Sequence, residues 1–425
     1  MKRTATETAD AARAISPSRE GRLSQDDRTS LLSTTEVARR LGVKPQTVYA
    51  YVSRGLLTRH ASSTHRRSVF AADEVERVAG QARRPSRSGA LEVVIETQLT
   101  ALDPEGRLHY RGRDVMELAR FRSFEDVAAL LWGGEAFAPW RLADSDRQLI
   151  GGLRPLLPDE ASATELIPVA IAALGAADEL RGDRRPDAVR RAGARMLAGS
   201  LELLSAGAGS NADPSAAARL WAATRADGGR PRPVQLAALD AALVLLADHE
   251  LAASTLAARV AASAWADPYR VVLAGLGPLG GSLHGGASLA VEAMLRTAAT
   301  PAGAFALLER QIATGGAPGF GHRVYRSRDP RAVVLLERLP AVADDQRALQ
   351  TVEAVLEAAR ALDLPPPNVD FGLAALGHVM GLRPAAASTI FTVARTAGLI
   401  AHALEEYPHR LRFRPRATYV GPAPL

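Results

Sequence analysis

Nine histidines and no cysteine among 425 residues narrow the available chemistry. Thiolate nucleophiles, thiolate metal sites and disulfides are excluded, so proton transfer must fall to His, Asp, Glu, Lys or Tyr. Two histidines lie against glycine. Leu283-His284-Gly285-Gly286-Ala287 precedes a helical pattern from Ser288 to Thr297, which presents an imidazole and nearby backbone N–H groups at a helix N-terminus. Taken alone, the segment reads as readily as an ordinary helix-start turn. Gly319-Phe320-Gly321-His322-Arg323-Val324-Tyr325 repeats the device and continues to Arg326 and Asp329-Pro330-Arg331. Glycine permits close backbone approach, and arginine offers planar forks for carboxylate or phosphate; a basic surface loop would look similar but would not need the two glycines. Asn368-Val369-Asp370-Phe371 follows Pro365 to Pro367, so an extended entry sets the carboxylate at a helix start, where a lone Asp is ordinarily a cap. Phe391 and Arg395 fall one turn apart on a helical pattern through Glu405, and Arg414-Pro415-Arg416 lies in the C-terminal tail.

The elements that must position these groups are expected to be helices. Hydrophobic residues make up 47% of the chain but aromatics only 5%, and the scarcity of β-branched and aromatic runs favours packed helices over sheets. The length allows a large core plus at least one further module. Apolar stretches such as Ala241 to Ala247, bounded by Asp240 and Asp248, fall short of the roughly 20 residues that cross a bilayer. Residues 1–30 have no apolar core and carry Glu7, Asp10, Glu20, Asp26 and Asp27, which argues against a targeting segment and makes the cytoplasm the expected compartment.

Charge is unevenly placed. Residues 1–90 hold 17 Lys and Arg against 9 Asp and Glu, a net of +8, leaving 35 against 37 in the remainder. Such asymmetry fits either a polyanionic partner or a solvated basic tail. Residues 1–28 read as a disordered leader. From 29 to 82 the pattern is that of a helix-turn-helix: a capping box at Ser33 and Glu36 opens a helix through Leu41, Gly42 turns the chain, and Pro45 begins a second helix running to about Ser53. Ala38, Gly42, Val43 and Val48 supply the small, turning and apolar positions such a unit needs. Leu56 to His60 and Arg67 to Phe70 are expected to pair as a wing, followed by a short helix from Ala72 to Ala79, so the unit resembles a MerR-like winged helix. If it binds DNA, Gln46, Thr47 and Tyr49 would face the major groove while Lys44, Arg54, Arg59 and Arg67 neutralise phosphates; the same module also serves as a docking unit. Residues 83–90 read as a linker.

Several motifs in order carry a wider resemblance. Ala247-Asp248-His249-Glu250 with Ser254-Thr255, then LHGGA, GFGHRVYRSRDPRA, NVDF, FTVARTAG with AHALEE, and RPRATYVG resemble the citrate synthase family along residues 91–425. Glu96-Thr97, Leu108 to Gly112, Ser123-Phe124-Glu125 and Leu130 to Gly133 look like its opening segment. The resemblance implies a mainly α fold, a large helical domain plus a small helical lid at about 286–385. It implies a homodimer with a shared active site that condenses acetyl-CoA with oxaloacetate, with no cofactor and no metal. It gives Asp370 the role of base at the acetyl methyl, His284 that of donor to the thioester carbonyl, and His322 that of acid at the ketone. His249, Arg331, Arg395 and Arg414 match oxaloacetate-binding positions, Arg414 reaching the other subunit's site; Phe391 lines that pocket and Arg326 meets the CoA phosphates. Propionyl-CoA as the acyl donor, and a DNA-binding metabolite sensor built on a synthase body, are the alternatives, and a third is that the amino-terminal module only docks a partner or shapes the oligomer.

The physical demands agree with those roles. A thioester methyl is a very weak carbon acid, so a carboxylate can deprotonate it only where a preorganised donor meets the developing oxyanion, worth roughly 3 to 4 kcal/mol. A keto-dicarboxylate needs fixed cations, for which the arginine fork is suited. Leu246 and Ser288 stand where the family often has His and Asn, which bears on subgroup and specificity rather than on the three catalytic positions.

Overall fold

A computed structural model of the chain describes residues 31–41, 48, 52, 57–61, 68–72, 74–75, 94–103, 106–134, 140–206, 214–225, 227–281, 287–298, 301–314, 316–322, 324–325, 327–411 and 413–414. The chain divides into two compact units, Met1–Val94 and Ile95–Leu425.

In the first unit, β1 (Leu31–Ser33) leads into α1 (Thr34–Leu41). The expected capping box is present: Ser33 N donates to Glu36 Oε2 at 2.8 Å and Glu36 N donates to Ser33 Oγ at 3.3 Å. The wing pairs β2 (His60–Ala61) with β3 (Ser68–Ala71), His60 opposite Val69; its first strand begins only at the last residue of the expected Leu56 to His60, since Leu57 to Arg59 are not strand. β1 adds to the other edge of β3, Leu32 facing Phe70, a pairing that sequence did not suggest because three residues are too few to display alternation. Val37, Ala38, Val48, Leu57, Phe70 and Val75 close a small core. Val48 and Val52 are helical, as are Ala72, Glu74 and Val75; most of the expected second and third helices, the leader and the 83–90 linker lie outside the described residues.

The second unit opens with a three-stranded meander, β4 (Thr100–Leu102), β5 (Leu108–Tyr110) and β6 (Arg113–Asp114), in which Thr100 faces Tyr110. Helices follow: α2 (Val115–Phe121), α3 (Phe124–Trp132), α4 (Asp144–Leu153), α5 (Ala163–Ala176), α6 (Pro186–Leu204), α7 (Ala216–Thr224), α8 (Pro233–Leu246), α9 (Ala253–Ser263), α10 (Pro268–Leu279), α11 (Ala287–Ala298), α12 (Pro301–Ala313), α13 (Pro330–Leu336), α14 (Leu339–Val342), α15 (Gln346–Ala361), α16 (Val369–Val379) and α17 (Ala386–Glu406). α17 is the axis. It packs on α3, α5, α6, α8, α9, α10, α11 and α16, and every residue from Ala386 to Ala403 is buried.

By length and composition α17 could cross a bilayer, which departs from the expectation that no stretch approaches that size. Thr389, Thr392, Arg395, Thr396 and His402 interrupt its apolar run in sequence, but the threonines satisfy themselves inside the helix. Thr389 Oγ1 donates to Ala385 O at 2.9 Å, Thr392 Oγ1 to Ser388 O at 2.8 Å and Thr396 Oγ1 to Thr392 O at 2.9 Å, the i−4 back-bond that lets a hydroxyl sit in a buried helix. A second layer forms as α16 packs on α11, α13, α14 and α15, and α12 packs on α15. The candidate catalytic segments are carried where this layer meets α8 and α17.

Gly398 lets α17 press against the chain leaving α8: a Cβ there would collide with the Ala247 carbonyl and come within 2.8 Å of Asp248 Oδ1. Gly398→Ala is expected to lower stability by about 1–3 kcal/mol, the range of overpacking in a close-packed core, read as a lower midpoint in denaturant titration.

Candidate active site

The loop carrying His322 is stitched to the segment that launches α16. Gly321 N donates to Pro366 O at 2.8 Å, Asn368 N to Gly319 O at 2.9 Å, and Asn368 Nδ2 to Gly321 O at 2.8 Å. The proline run supplies the extended partner for these bonds. Gly319 and Gly321 adopt φ of +85° and +79°, and a Cβ at 319 would lie 2.9 Å from Val291 and 3.0 Å from Phe371. Both conformation and space therefore exclude a side chain. Within the loop, Val324 N and Tyr325 N donate to His322 Nδ1 at 3.0 and 3.2 Å. Nδ1 is thus an acceptor, and a neutral ring must carry its proton on Nε2. Burial and the Arg331 charge lower the His322 pKa, so the ring presents a neutral Nε2–H donor.

Asp370 is not the helix cap. Asn368 fills that place, its Oδ1 accepting from Asp370 N at 3.0 Å and Phe371 N at 3.3 Å, which leaves the Asp370 carboxylate uncommitted to the backbone. Burial raises its pKa against the opposing pull of Arg331 and the Ser288 hydroxyl. Arg331, 3% exposed, is clamped by Asp329, 1% exposed: Nε lies 3.0 Å from Oδ1 and Nη2 2.9 Å from Oδ2. Asp329 also accepts from Arg331 N at 3.0 Å and Val369 N at 2.9 Å. One carboxylate thereby joins the start of α13, the Arg331 fork and the residue before Asp370. Arg331 Nη2 lies 3.4 Å from His322 Nε2, a close approach of two N–H groups rather than a hydrogen bond, both free to point at one acceptor.

The opposite wall comes from α8 and α17. His249 follows the end of α8, its ring 5.6 Å from those of His322 and Tyr325, with Nε2 3.0 Å from Tyr325 Oη. Burial first, then Arg331, Arg395 and His322, hold its pKa well below the usual histidine value. Arg395 is fully buried, stacks 5.0 Å over Phe391 and donates Nε to Leu246 O at 3.1 Å. Its Nη1 has no acceptor among the described residues. A guanidinium edge that is dry and unpaired is costly, and Asp248 and Arg331 both act on the charge of the group.

His322, Asp370, His249, Arg331, Arg395 and Phe391, singled out from sequence, therefore converge around Arg331 and His249. Arg414 is exposed at the C-terminal end of the described chain. His284 and Arg326 lie outside the described residues; Ser288, four residues after His284, is beside Asp370. Of the positions expected to meet DNA, Arg59 is exposed, and Lys44, Gln46, Thr47, Tyr49, Arg54 and Arg67 lie outside the described residues. Sequence reading gave no role to Tyr325, Asp329 or Asp248, although all three stand inside the motifs. Tyr325 touches His249, and burial keeps its phenol protonated, pushed up to about 12.

The arrangement joins a raised carboxylate, a neutral imidazole donor and two buried guanidinium groups, one with an open edge. It can abstract a proton, hydrogen-bond a carbonyl and bind carboxylates. A sequence profile described as citrate synthase, C-terminal domain, matches residues 90–416, and a helix-turn-helix domain profile matches residues 31–83. The chain belongs to the citrate synthase family, with an N-terminal helix-turn-helix domain. It is 33% identical to the citrate synthase of Haloferax volcanii over 355 residues, 77% of this chain and 94% of that relative. It is 31% identical to the 2-methylcitrate synthase of Mycobacterium tuberculosis over 379 residues, 84% and 95% of the two chains. Among solved structures it resembles citrate synthase from Thermoplasma acidophilum in ternary complex with carboxymethyl coenzyme A and oxaloacetate, at 28% identity and TM-score 0.63, covering 78% of this chain and 95% of that one.

Because Asp329 neutralises Arg331 and holds Val369 N together, Asp329→Asn is expected to destabilise the protein on the order of 3 kcal/mol, as removal of one partner of a buried pair does. Denaturant titration of the variant beside wild type checks this.

Proposed function

We propose that this protein condenses acetyl-CoA with oxaloacetate and water to give citrate and CoA. Asp370 removes a proton from the acetyl methyl while His284 hydrogen-bonds the thioester oxygen, so that an enol or enolate forms. Its carbon attacks the ketone of oxaloacetate, and His322 protonates the oxygen that was the ketone. The carbon–carbon bond gives a citryl thioester, which water cleaves to citrate and CoA. His249, Arg331 and Arg395 grip the keto-dicarboxylate, Phe391 lines its pocket, and Arg326 meets the CoA phosphates. In a homodimer Arg414 enters the partner subunit's site.

The observation that carries the reading is the placement of the raised Asp370 carboxylate within reach of the Arg331 charge, with His322 Nε2 at 3.4 Å from Arg331 Nη2. A base for a weak carbon acid gains from a pKa lifted toward the working pH, and a neutral Nε2–H can donate to a ketone without first gaining a proton. The buried, open Nη1 of Arg395 supplies what an anionic substrate would satisfy.

Release of free CoA thiol from acetyl-CoA plus oxaloacetate, compared with propionyl-CoA at equal concentration, tests the proposal. One methylene in an apolar pocket is worth only about 1–3 kcal/mol, so turnover of both is expected with kcat/KM favouring acetyl-CoA; a decisive preference for propionyl-CoA makes the protein a 2-methylcitrate synthase. Asp370 must be ionised to act, and its pKa is raised, so kcat/KM should fall as pH drops while still above the ordinary carboxylate range. Asp370→Asn should lose about 10²–10⁴-fold in kcat, the usual contribution of a positioned base.

The first unit supports a second proposal, duplex DNA binding. Its net charge of +8 over residues 1–90 and the helix-turn-helix profile support it. Affinity for a specific duplex that falls steeply with salt is the expected result, and salt-insensitive or absent binding refutes it.

A further inference from the structure

Behind His249 lies a run of buried polar groups that none of the steps above uses. Tyr110 Oη donates to Asp248 O at 2.7 Å and accepts from Asp248 N at 3.1 Å, so one phenol clamps both backbone groups of the residue before His249. Thr100 Oγ1 donates to Asp248 Oδ2 at 2.5 Å. His402 Nε2 stands 3.3 Å from the same oxygen and 3.2 Å from Oδ1. His402 Nδ1 is 3.2 Å from Arg259 Nη1; a guanidinium can only donate, so Nδ1 accepts and the Nε2–H faces Asp248. Arg259, 0% exposed, pairs with Glu406 at 2.8 Å and Glu405 at 2.5 Å. Glu405 closes the series by accepting from Gln98 N at 2.6 Å and Thr97 Oγ1 at 2.8 Å.

Packing alone does not call for this arrangement. Buried ion pairs contribute little net stability compared with apolar side chains of similar volume. This one sits under the two groups of the keto-acid wall. It reaches His249 through the Asp248 backbone, and the chain turns immediately afterwards, with Glu250 at φ +55°. It reaches Arg395 through the same stretch of backbone, since Arg395 Nε donates to Leu246 O at 3.1 Å, two residues before Asp248, and Asp248 also favours the cationic form of that guanidinium. Burial alone would raise Asp248, but the His402 contact, the Arg395 charge and the Thr100 hydrogen bond outweigh it and leave the carboxylate lowered.

We propose that Thr100 and Tyr110, on the β4–β5 hairpin, are positioning residues that act through Asp248 to hold His249 and Arg395 in the geometry that binds the keto-dicarboxylate. The network from Glu405 through Arg259 and His402 fixes the carboxylate from its other side. The proposal rests on the reading of His249 and Arg395 as oxaloacetate-binding groups. Oxaloacetate is held here by a site whose precision comes from the first strands of the domain.

The test uses the full chain carrying Thr100→Val, which removes the hydroxyl and keeps the shape, with Thr100→Ser as the restoring change. Oxaloacetate affinity is measured by calorimetry, KM and kcat with whichever acyl-CoA wild type turns over, and stability by denaturant titration. Thr100→Val should weaken oxaloacetate binding and raise its KM about tenfold, in keeping with an unsatisfied hydrogen bond to a buried charge. The acyl-CoA KM should stay unchanged and kcat should fall less than about threefold. Thr100→Ser should return affinity to within about twofold of wild type. Tyr110→Phe, which removes the backbone clamp and keeps the ring, should act in the same direction and provides a second reading if Thr100→Val does not fold. A lower denaturation midpoint with unchanged oxaloacetate affinity makes the network purely structural and overturns the proposal, as does failure of Thr100→Ser to restore binding. Wild type that binds no oxaloacetate defeats the functional reading itself, and this inference with it.

Discussion

The site depends on the Asp329–Arg331 pair. A carboxylate and a guanidinium with 1% and 3% exposure can remain charged in that setting only because every lobe of the carboxylate is occupied. Oδ1 takes the Arg331 N and Nε protons, and Oδ2 takes those of Arg331 Nη2 and Val369 N. The acceptor bonds that make burial of the charge tolerable are the ones that tie α13 to the first turn of α16. Asp370 is therefore placed relative to Arg331 by one set of hydrogen bonds, while His322 is fixed within its own loop by Val324 N and Tyr325 N. Loop and helix could not be repositioned separately without leaving a buried charge unmet.

Electrostatics then decide which groups can carry protons. Burial makes the imidazolium form unfavourable at both histidines, and Arg331 adds to the effect at each, with Arg395 adding at His249; both His249 and His322 are shifted down. The same burial acts oppositely on Asp370, whose pKa rises despite the nearby Arg331. Desolvation penalises whichever form is charged. One environment thus yields a better base and two neutral hydrogen-bonding rings, the combination that the proposed enol chemistry would use.

Much of this was legible in the residue order, and the limits follow from physics. Ser33 and Glu36 announced their capping box because both partners lie within one turn. The glycines around His322 announced a close approach because nothing else fits φ near +80° beside Val291 and Phe371. Asp370 looked like a cap, and only the bonds from Asp370 N and Phe371 N to Asn368 show that its neighbour takes that duty. Thr100 and Tyr110 could not be found, since their partner Asp248 lies 148 and 138 residues away and no local pattern marks such a contact. That α17 is apolar over a bilayer-spanning length was hidden because buried threonines that bond back to their own helix look, in sequence, like interruptions.

The walls of the site belong to different packing groups, and this bears on how the proposed reaction would be ordered. Arg331 is carried by α13 in the layer built on α16, while Arg395 and His249 are carried by α17 and the end of α8. Burial and then the Arg331 charge weaken the hold of Arg395 on its proton, and Arg395 Nη1 has no acceptor among the described residues. A dicarboxylate placed between them replaces repulsion across the boundary with attraction to both sides, an effect strengthened by the low local dielectric. An acyl thioester brings no such charge to that position. On the proposed reading, then, the keto acid is the ligand that draws the walls together, and a methyl group activated by Asp370 would meet its acceptor already in place, with water displaced from the space between.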